Sequence, residues 1–307
     1  MINNMEDSEF LENRKQKIIE WIKNPYNFSL VAILIFAVII RIYYFYLTKG
    51  QAVWWDEAEY MNMARAWAFG LDYEFLPVRP VLFSLITALF LKISYGEFLP
   101  RLFIFGLSIV SIFAMYLLGK EIYDKKIGLL CALFTSVFYL NIFHTYRLLV
   151  DLPSFTFFAF AAFFFYRYLK DNKEVKYLYF GAAIIAVGTL FRITTAILLI
   201  AILLYVLITE KLSFLRKKEY WISLLIFVLI LLPYIVWGYI KFNGFVITQA
   251  GAWNSPQGNY LVNGIALLKN YLVLFPTYLS WFLLVFLLLG LIFFYKLFLG
   301  FLTQSCS

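Results

Sequence analysis

Long apolar runs constrain this chain more than any other feature of its sequence. They occupy residues 28–47, 102–118, 127–143, 152–166, 177–208, 220–240 and 271–295, with a shorter, ambiguous run at 80–95. A helix needs about 20 mostly apolar residues to cross a bilayer. The chain is 64% hydrophobic, with a mean hydropathy of +0.82, whereas about half of the residues in a soluble globular domain are apolar. The sequence therefore predicts an all-α polytopic membrane protein.

Charge and composition exclude several classes of function. The net charge of +8 is explained by basic cytoplasmic loops, so no nucleic-acid partner is predicted. The two cysteines, Cys131 and Cys306, are far apart and form neither a CxxC metal motif nor a disulfide framework. His144 is the one histidine, which excludes a multi-histidine metal site within the chain. We predict no cofactor and no bound divalent cation.

The distribution of basic residues predicts the topology. If 80–95 lies along the outer interface and 177–208 forms two helices that turn near Arg192, 16 of the 26 Lys and Arg residues face the cytoplasm and 8 face outward. If 80–95 crossed the membrane instead, the basic clusters at 120–126 and 167–176 would lie outside. Cytoplasmic loops normally carry the excess of basic residues, so we favour the interfacial arrangement.

This topology gives about eight transmembrane helices with both ends in the cytoplasm. The predicted parts are a cytoplasmic leader at 1–27, a catalytic membrane module at 28–240, an outer loop at 241–270, and a last span with a short tail at 271–307. The first outer loop, 48–100, is expected to contain interfacial helices. The same topology brings Asp56, Arg79, His144, Arg147, Asp151 and Arg192 to one face of the membrane.

Three carboxylates follow the first span closely, at Asp56, Glu57 and Glu59. The segment 56–69 has no helix breaker and ends at Gly70, which predicts a short helix with a glycine C-cap. A carboxylate at the start of that helix would be favoured by the helix dipole and would suit a general base. The alternative is a helix cap and a solvated loop charge, which the local pattern by itself favours slightly.

Other charged residues at the predicted outer face have two interpretations each. Arg79 lies between Pro77 and Pro80, so it could bind a substrate phosphate or lipid headgroups in general. Asp151, followed by Leu-Pro, could orient an acceptor or simply begin a helix. Arg192 interrupts an apolar run, and it could pair with an anionic substrate or with an acid for structure alone.

The order and spacing of these motifs resemble the GT-C membrane glycosyltransferases. The closest resemblance is to the protein O-mannosyltransferases and 4-amino-4-deoxy-L-arabinose lipid A transferases of glycosyltransferase family 39. The matching motifs are Asp56-Glu57 with Tyr60 after the first span, Arg79-Pro80, the basic turn and Gly-Leu-Leu at 123–130, and Asp151 before Pro153, with Arg192 replacing a family lysine. Val81 stands where the family has a second proline. Members usually continue through more spans, so a minimal or C-terminally truncated member is expected.

The resemblance implies an inverting sugar transfer from a polyprenyl phosphate to an acceptor hydroxyl on a protein, lipid or glycan. Asp56 would be the general base and Asp151 would help to position the reacting groups. Arg79 and Arg192 would hold the leaving phosphate. We also predict Glu57, Tyr60 and Arg147 as substrate- or phosphate-binding residues, although the role of Glu57 stays open. The expected location is the cell membrane, with the active site on its extracytoplasmic face. A transporter or lipid flippase, and an inactive scaffold of the same fold, are the alternatives.

Overall fold

The computed structural model describes residue 16 and residues 20–48, 50–170 and 174–244. These belong to the first of two compact units, Met1–Gln249; the second, Ala250–Ser307, lies outside the described residues. Most of the predicted leader, nearly all of the predicted outer loop at 241–270 and the predicted last span therefore lie outside the described residues.

The described residues form α-helices joined by short turns, without a β-strand among them. The helices are α1 Pro25–Thr48, α2 Trp55–Phe69, α3 Leu82–Ile93, α4 Phe98–Ile122, α5 Lys125–Val137, α6 Tyr139–His144, α7 Asp151–Lys170, α8 Val175–Phe191, α9 Ile197–Glu210 and α10 Lys218–Phe242. Short 3₁₀ helices, Ile193–Ala196 and Lys211–Arg216, flank α9.

Five of the described helical segments are long and apolar enough to cross a membrane: α1, α4, α7, α10 and the continuous segment Ile193–Arg216 that contains α9. Their outer surfaces remain apolar. Ile39 on α1 and Ile200 on α9, for example, are each 60% exposed. Water-soluble proteins rarely leave such continuous apolar surface uncovered. The prediction of an all-α polytopic membrane protein is confirmed.

The predicted helices of the first outer loop are present. Helix α2 ends at Gly70, whose φ of 69° lies in the left-handed region that glycine adopts without strain. Helix α3 has 12 residues, or about 18 Å at 1.5 Å per residue, which is too short for the roughly 30 Å core of a bilayer. Tyr60 and Met61 of α2 pack with Phe83 of α3 in one buried cluster, so the two helices form a unit.

The predicted break in the run 177–208 is also present. Arg192 is extended, with φ −153° and ψ 121°, and its backbone N–H donates to the carbonyl of Gly188 at 3.0 Å. The chain therefore turns between α8 and the 3₁₀ segment, and the two halves are separate helices. Helix α8, with 17 residues, is apolar but shorter than the five segments of membrane-crossing length.

The prediction of one continuous span at 127–143 was wrong, because the structure divides it at Phe138 into α5 and α6. Arg41 is fully buried on α1, and its side chain contacts residues on both sides of the break. Its guanidinium donates to the carbonyl of Ser136 at 3.0 Å and to Oδ1 of Asn141 at 2.5 Å. A cation at the carboxyl end of α5 is favoured by the helix dipole and binds a carbonyl that the broken helix leaves free.

The polar cluster around Arg41 predicts the effect of substitution at Asn141. The Asn141→Leu variant removes an acceptor from a buried cation, so we expect the free energy of unfolding to fall by about 1.5–3 kcal/mol. Thermal unfolding in detergent measures the change. Leu140→Ile, on the more exposed neighbouring residue, is the control and should change little. An Asn141→Leu protein as stable as the wild type would show that Arg41 does not depend on this contact.

Candidate active site

A polar pocket of about 200 Å³ lies where α2, the loop before α3, the start of α7 and the turn at Arg192 meet. We call it the acid–arginine pocket. Its charged lining residues are Asp56, Arg79, Asp151 and Arg192, and Tyr60 forms part of its wall. The sequence had singled out all five as candidate site residues, and residues far apart in the chain are brought together here.

The start of α2 presents Asp56 to this pocket. Trp54 is the N-cap residue, so Asp56 lies in the first turn, where the helix dipole favours a carboxylate. The Asp56 side chain is 52% exposed, and its Oδ1 accepts a hydrogen bond from Nη2 of Arg79 at 2.5 Å. Asp56 is therefore an accessible carboxylate with one arginine beside it, a geometry that permits proton transfer to or from a bound molecule.

Arg79 projects from a tight turn, in which its backbone N–H donates to the carbonyl of Leu76 at 3.1 Å. Its guanidinium lies 5.3 Å from the centre of the Tyr60 ring and donates from Nε to Oε2 of Glu59 at 2.9 Å. Burial lowers the pKa of Arg79, but hydrogen bonds to Asp56 and Tyr60 outweigh it and raise the pKa above its usual value. Arg79 is therefore a permanent cation.

The second ion pair of the pocket joins two helix ends. Asp151 is the first residue of α7, and its Oδ1 accepts a hydrogen bond from Nη1 of Arg192. A hydrogen bond of 2.6 Å between the hydroxyls of Ser154 and Thr195 ties the Arg192 turn to the first turn of α7. Asp151 and Arg192 are 39% and 44% exposed, so both remain accessible to a ligand.

Tyr60 closes the pocket behind Arg79. Its side chain is buried, and its ring packs edge-on against Phe83 at 5.4 Å. Burial raises the pKa of the Tyr60 hydroxyl, and the adjacent Arg79 offsets part of that rise. The Tyr60 side chain therefore remains a neutral phenol, and its ring packs against the Arg79 guanidinium.

Glu57 and Arg147, also candidate binding residues, lie outside the acid–arginine pocket. Glu57 is fully buried and accepts hydrogen bonds from the backbone N–H of Trp54 at 2.6 Å and of Leu148 at 2.7 Å. Arg147 pairs with Glu57 at 3.2 Å and lies 4.0 Å from the Trp54 ring centre. These contacts attach the start of α2 to the segment before Asp151, and they leave no accessible Glu57 oxygen for a substrate.

An apolar groove of about 360 Å³ adjoins the pocket and shares Asp151 with it. Phe138, Leu152 and Phe155 line the groove, together with His144. Burial lowers the pKa of His144, as do Arg192 and Arg147, while Asp151 opposes the change. The imidazole is therefore neutral at pH 7, and it adds no charge to the groove.

Glu59 is a residue at this site that the sequence-based assignment did not include. It bonds Arg79 and lies one helical turn after Asp56, so the i, i+3 spacing was the signal that could have identified it. Among the described residues, no group of three or more His, Cys, Asp or Glu side chains is arranged to hold a metal ion.

The comparison with protein families decides the class of this molecule. The family model of dolichyl-phosphate-mannose-protein mannosyltransferases matches residues 78–237, just over half of the chain. The chain belongs to that family. Its members are membrane glycosyltransferases that use a polyprenyl-phosphate mannose donor. No curated protein and no solved structure matches the chain.

The matched region of this mannosyltransferase-family protein contains Arg79, Asp151 and Arg192, whereas Asp56 lies ahead of it. Asp56 is connected to the matched region through its hydrogen bond to Arg79. The pocket thus joins residues from inside and outside the part of the chain that the family model covers.

Proposed function

We propose that this protein is an inverting glycosyltransferase that moves one sugar from a polyprenyl phosphate to an acceptor hydroxyl. The observation that carries the proposal is the acid–arginine pocket, which is lined by the accessible carboxylate of Asp56 and by two arginines. Carboxylates take protons from hydroxyl groups, and guanidinium groups bind phosphate oxygens through directed hydrogen bonds. Both functions are needed for this reaction, and they occur within one small space.

In the proposed reaction, the Asp56 carboxylate takes the proton of the acceptor hydroxyl as its oxygen forms a bond to C1 of the sugar. The bond between C1 and the phosphate oxygen breaks, and polyprenyl phosphate leaves with the electron pair. Arg79 and Arg192 stabilise the charge on the leaving phosphate, so no general acid is required. A single displacement inverts the configuration at C1, and none of these steps is assigned to a metal.

The neighbouring apolar groove supports a lipid-borne donor. A polyprenyl phosphate has a charged head and a long hydrocarbon tail, so its site needs a polar part continuous with an apolar one. The acid–arginine pocket and the groove meet these needs and share Asp151. Asp151 would then orient Arg192, and the reaction would take place on the extracytoplasmic face of the cell membrane.

Turnover of defined donors tests the proposal. The purified chain would be supplied with dolichyl and undecaprenyl phosphates carrying mannose, glucose or 4-amino-4-deoxyarabinose, together with protein, lipid and glycan acceptors. We expect release of polyprenyl phosphate that depends on an acceptor, and a product of inverted configuration. If no donor in the panel bound or reacted, the proposal would be wrong.

The phosphate role of Arg192 leads to a separate prediction. Loss of a charge-assisted hydrogen bond is worth about 1.5–3 kcal/mol, so Arg192→Met should lower kcat/KM for the donor roughly 10- to 150-fold. The measurement is initial rate against donor concentration. Lys92→Met, which removes an exposed cation from α3, should leave the donor kinetics unchanged. If the two substitutions lowered kcat/KM for the donor equally, Arg192 would not be part of the phosphate-binding site.

A further inference from the structure

Glu59 bonds the residue that precedes Asp56 and also the arginine that pairs with Asp56. Its Oε1 accepts a hydrogen bond from Nε1 of Trp55 at 2.8 Å, and its Oε2 accepts one from Nε of Arg79 at 2.9 Å. The Glu59 side chain is only 19% exposed and does not line the acid–arginine pocket. It is therefore fixed behind Arg79, on the side away from the space that a ligand would occupy.

Asp56 contacts the same guanidinium from the pocket itself. It is far more exposed than Glu59, at 52%, and it binds Nη2 of Arg79. Arg79 thus has one carboxylate that faces the ligand space and one that does not. The two carboxylates are not equivalent, because only Asp56 competes directly with an incoming anion.

Both arginines of the pocket are already paired with carboxylates. With Glu59 included, three carboxylates (Asp56, Glu59 and Asp151) and two arginines (Arg79 and Arg192) give this ionic cluster a formal charge of −1. A phosphate that binds these arginines therefore competes with the carboxylates that face the ligand space. When it replaces Asp56 on Arg79, the Asp56 carboxylate loses its cationic partner and is free to accept the proton of the acceptor hydroxyl in the proposed reaction.

We propose that Glu59 is a positioning residue that holds Arg79 over Tyr60 while the donor phosphate displaces Asp56 from it. The inference rests on the proposed function, since it assigns the phosphate of the sugar donor to Arg79. Glu59 touches neither substrate in this arrangement and acts through Arg79. Its hydrogen bond to Nε fixes the plane of the guanidinium, so the remaining N–H groups stay directed to the phosphate.

Binding of undecaprenyl monophosphate to the full-length protein in detergent tests the proposal. Glu59→Ala should weaken binding about tenfold, because Arg79 is released. Glu59→Gln keeps an oxygen acceptor for Nε and should weaken binding less than about threefold. Asp56→Asn should tighten binding about threefold, because the competing charge is gone. Asp72→Asn, at an exposed acid of the same loop, is the control.

The opposite signs of these effects make the test decisive. Simple removal of negative charge predicts tighter phosphate binding for both Glu59→Ala and Asp56→Asn. If Glu59→Ala binds the phosphate as tightly as the wild type or more tightly, the positioning role is refuted. If the wild type does not bind the phosphate at all, the proposed function fails first, and the two failures are thereby distinguished.

Kinetics separate positioning from general stabilisation. Glu59→Ala should raise the KM for the donor about tenfold while kcat at saturating donor stays within about twofold. A variant that is merely less folded would instead show a lower kcat at an unchanged KM, and that outcome would contradict the proposal.

Should Glu59→Ala fail to fold, Trp55→Phe removes the indole N–H that anchors Glu59 from a side chain that is 81% exposed, and it should raise the donor KM about two- to threefold. An unchanged donor KM in Trp55→Phe would then overturn the role.

Discussion

Asp56→Asn should lower the rate of sugar transfer by about 10²- to 10⁴-fold, the usual contribution of a general base. Asparagine has nearly the same shape and can still accept a hydrogen bond from Arg79, but its amide does not take up the proton of the acceptor hydroxyl. The measurement is acceptor-dependent release of polyprenyl phosphate at saturating donor. The loss should appear in kcat, since removal of the Asp56 charge takes away a competitor of the donor phosphate and does not weaken donor binding.

The exposure of Asp56 makes this result interpretable. Its side chain is half exposed, so the asparagine variant should differ from the wild type by no more than about 0.5 kcal/mol in stability. Glu74→Gln, at an exposed acid of the same loop, provides the matched control and should retain wild-type turnover. Turnover of Asp56→Asn within threefold of the wild type would show that another group accepts the proton.

Glu57→Ala should be the most destabilising single substitution among these variants, at about 3–5 kcal/mol. The reason is the full burial of Glu57, whose carboxylate satisfies two backbone N–H groups and Arg147. Alanine would leave the Arg147 cation buried without its acid and the N–H of Leu148 without an acceptor. Chemical or thermal unfolding in detergent measures the difference in unfolding free energy.

This experiment also separates the two roles considered for Glu57. Glu57 was predicted among the substrate- or phosphate-binding residues, whereas its contacts make it a clamp between α2 and the segment before Asp151. A clamp predicts a large loss of stability, and Glu74→Ala should show none because Glu74 is exposed. If Glu57→Ala were as stable as the wild type but had a raised donor KM, the substrate-binding role would be correct.

Local patterns in the sequence predicted the class of fold and two of the helix ends. Apolar runs of membrane-spanning length favour α-helices, because a helix satisfies its own N–H and C=O groups within the bilayer. Gly70 marked the end of α2 and Arg192 the break between α8 and the next segment, since both signals depend only on nearby residues. The distribution of basic residues also predicted that Asp56, Arg79, Asp151 and Arg192 share one face of the membrane.

Tertiary structure alone decided what depends on contacts between distant residues. The break at Phe138 is associated with Arg41, almost one hundred residues earlier, whose buried guanidinium binds the end of α5. The distinction between Glu57 and Glu59 also needed coordinates. The two acids are two positions apart and therefore point to different sides of α2, one into the protein interior and the other to Arg79. A sequence reveals that acids are close along the chain, but only the packing of the helices determines which partner each one meets.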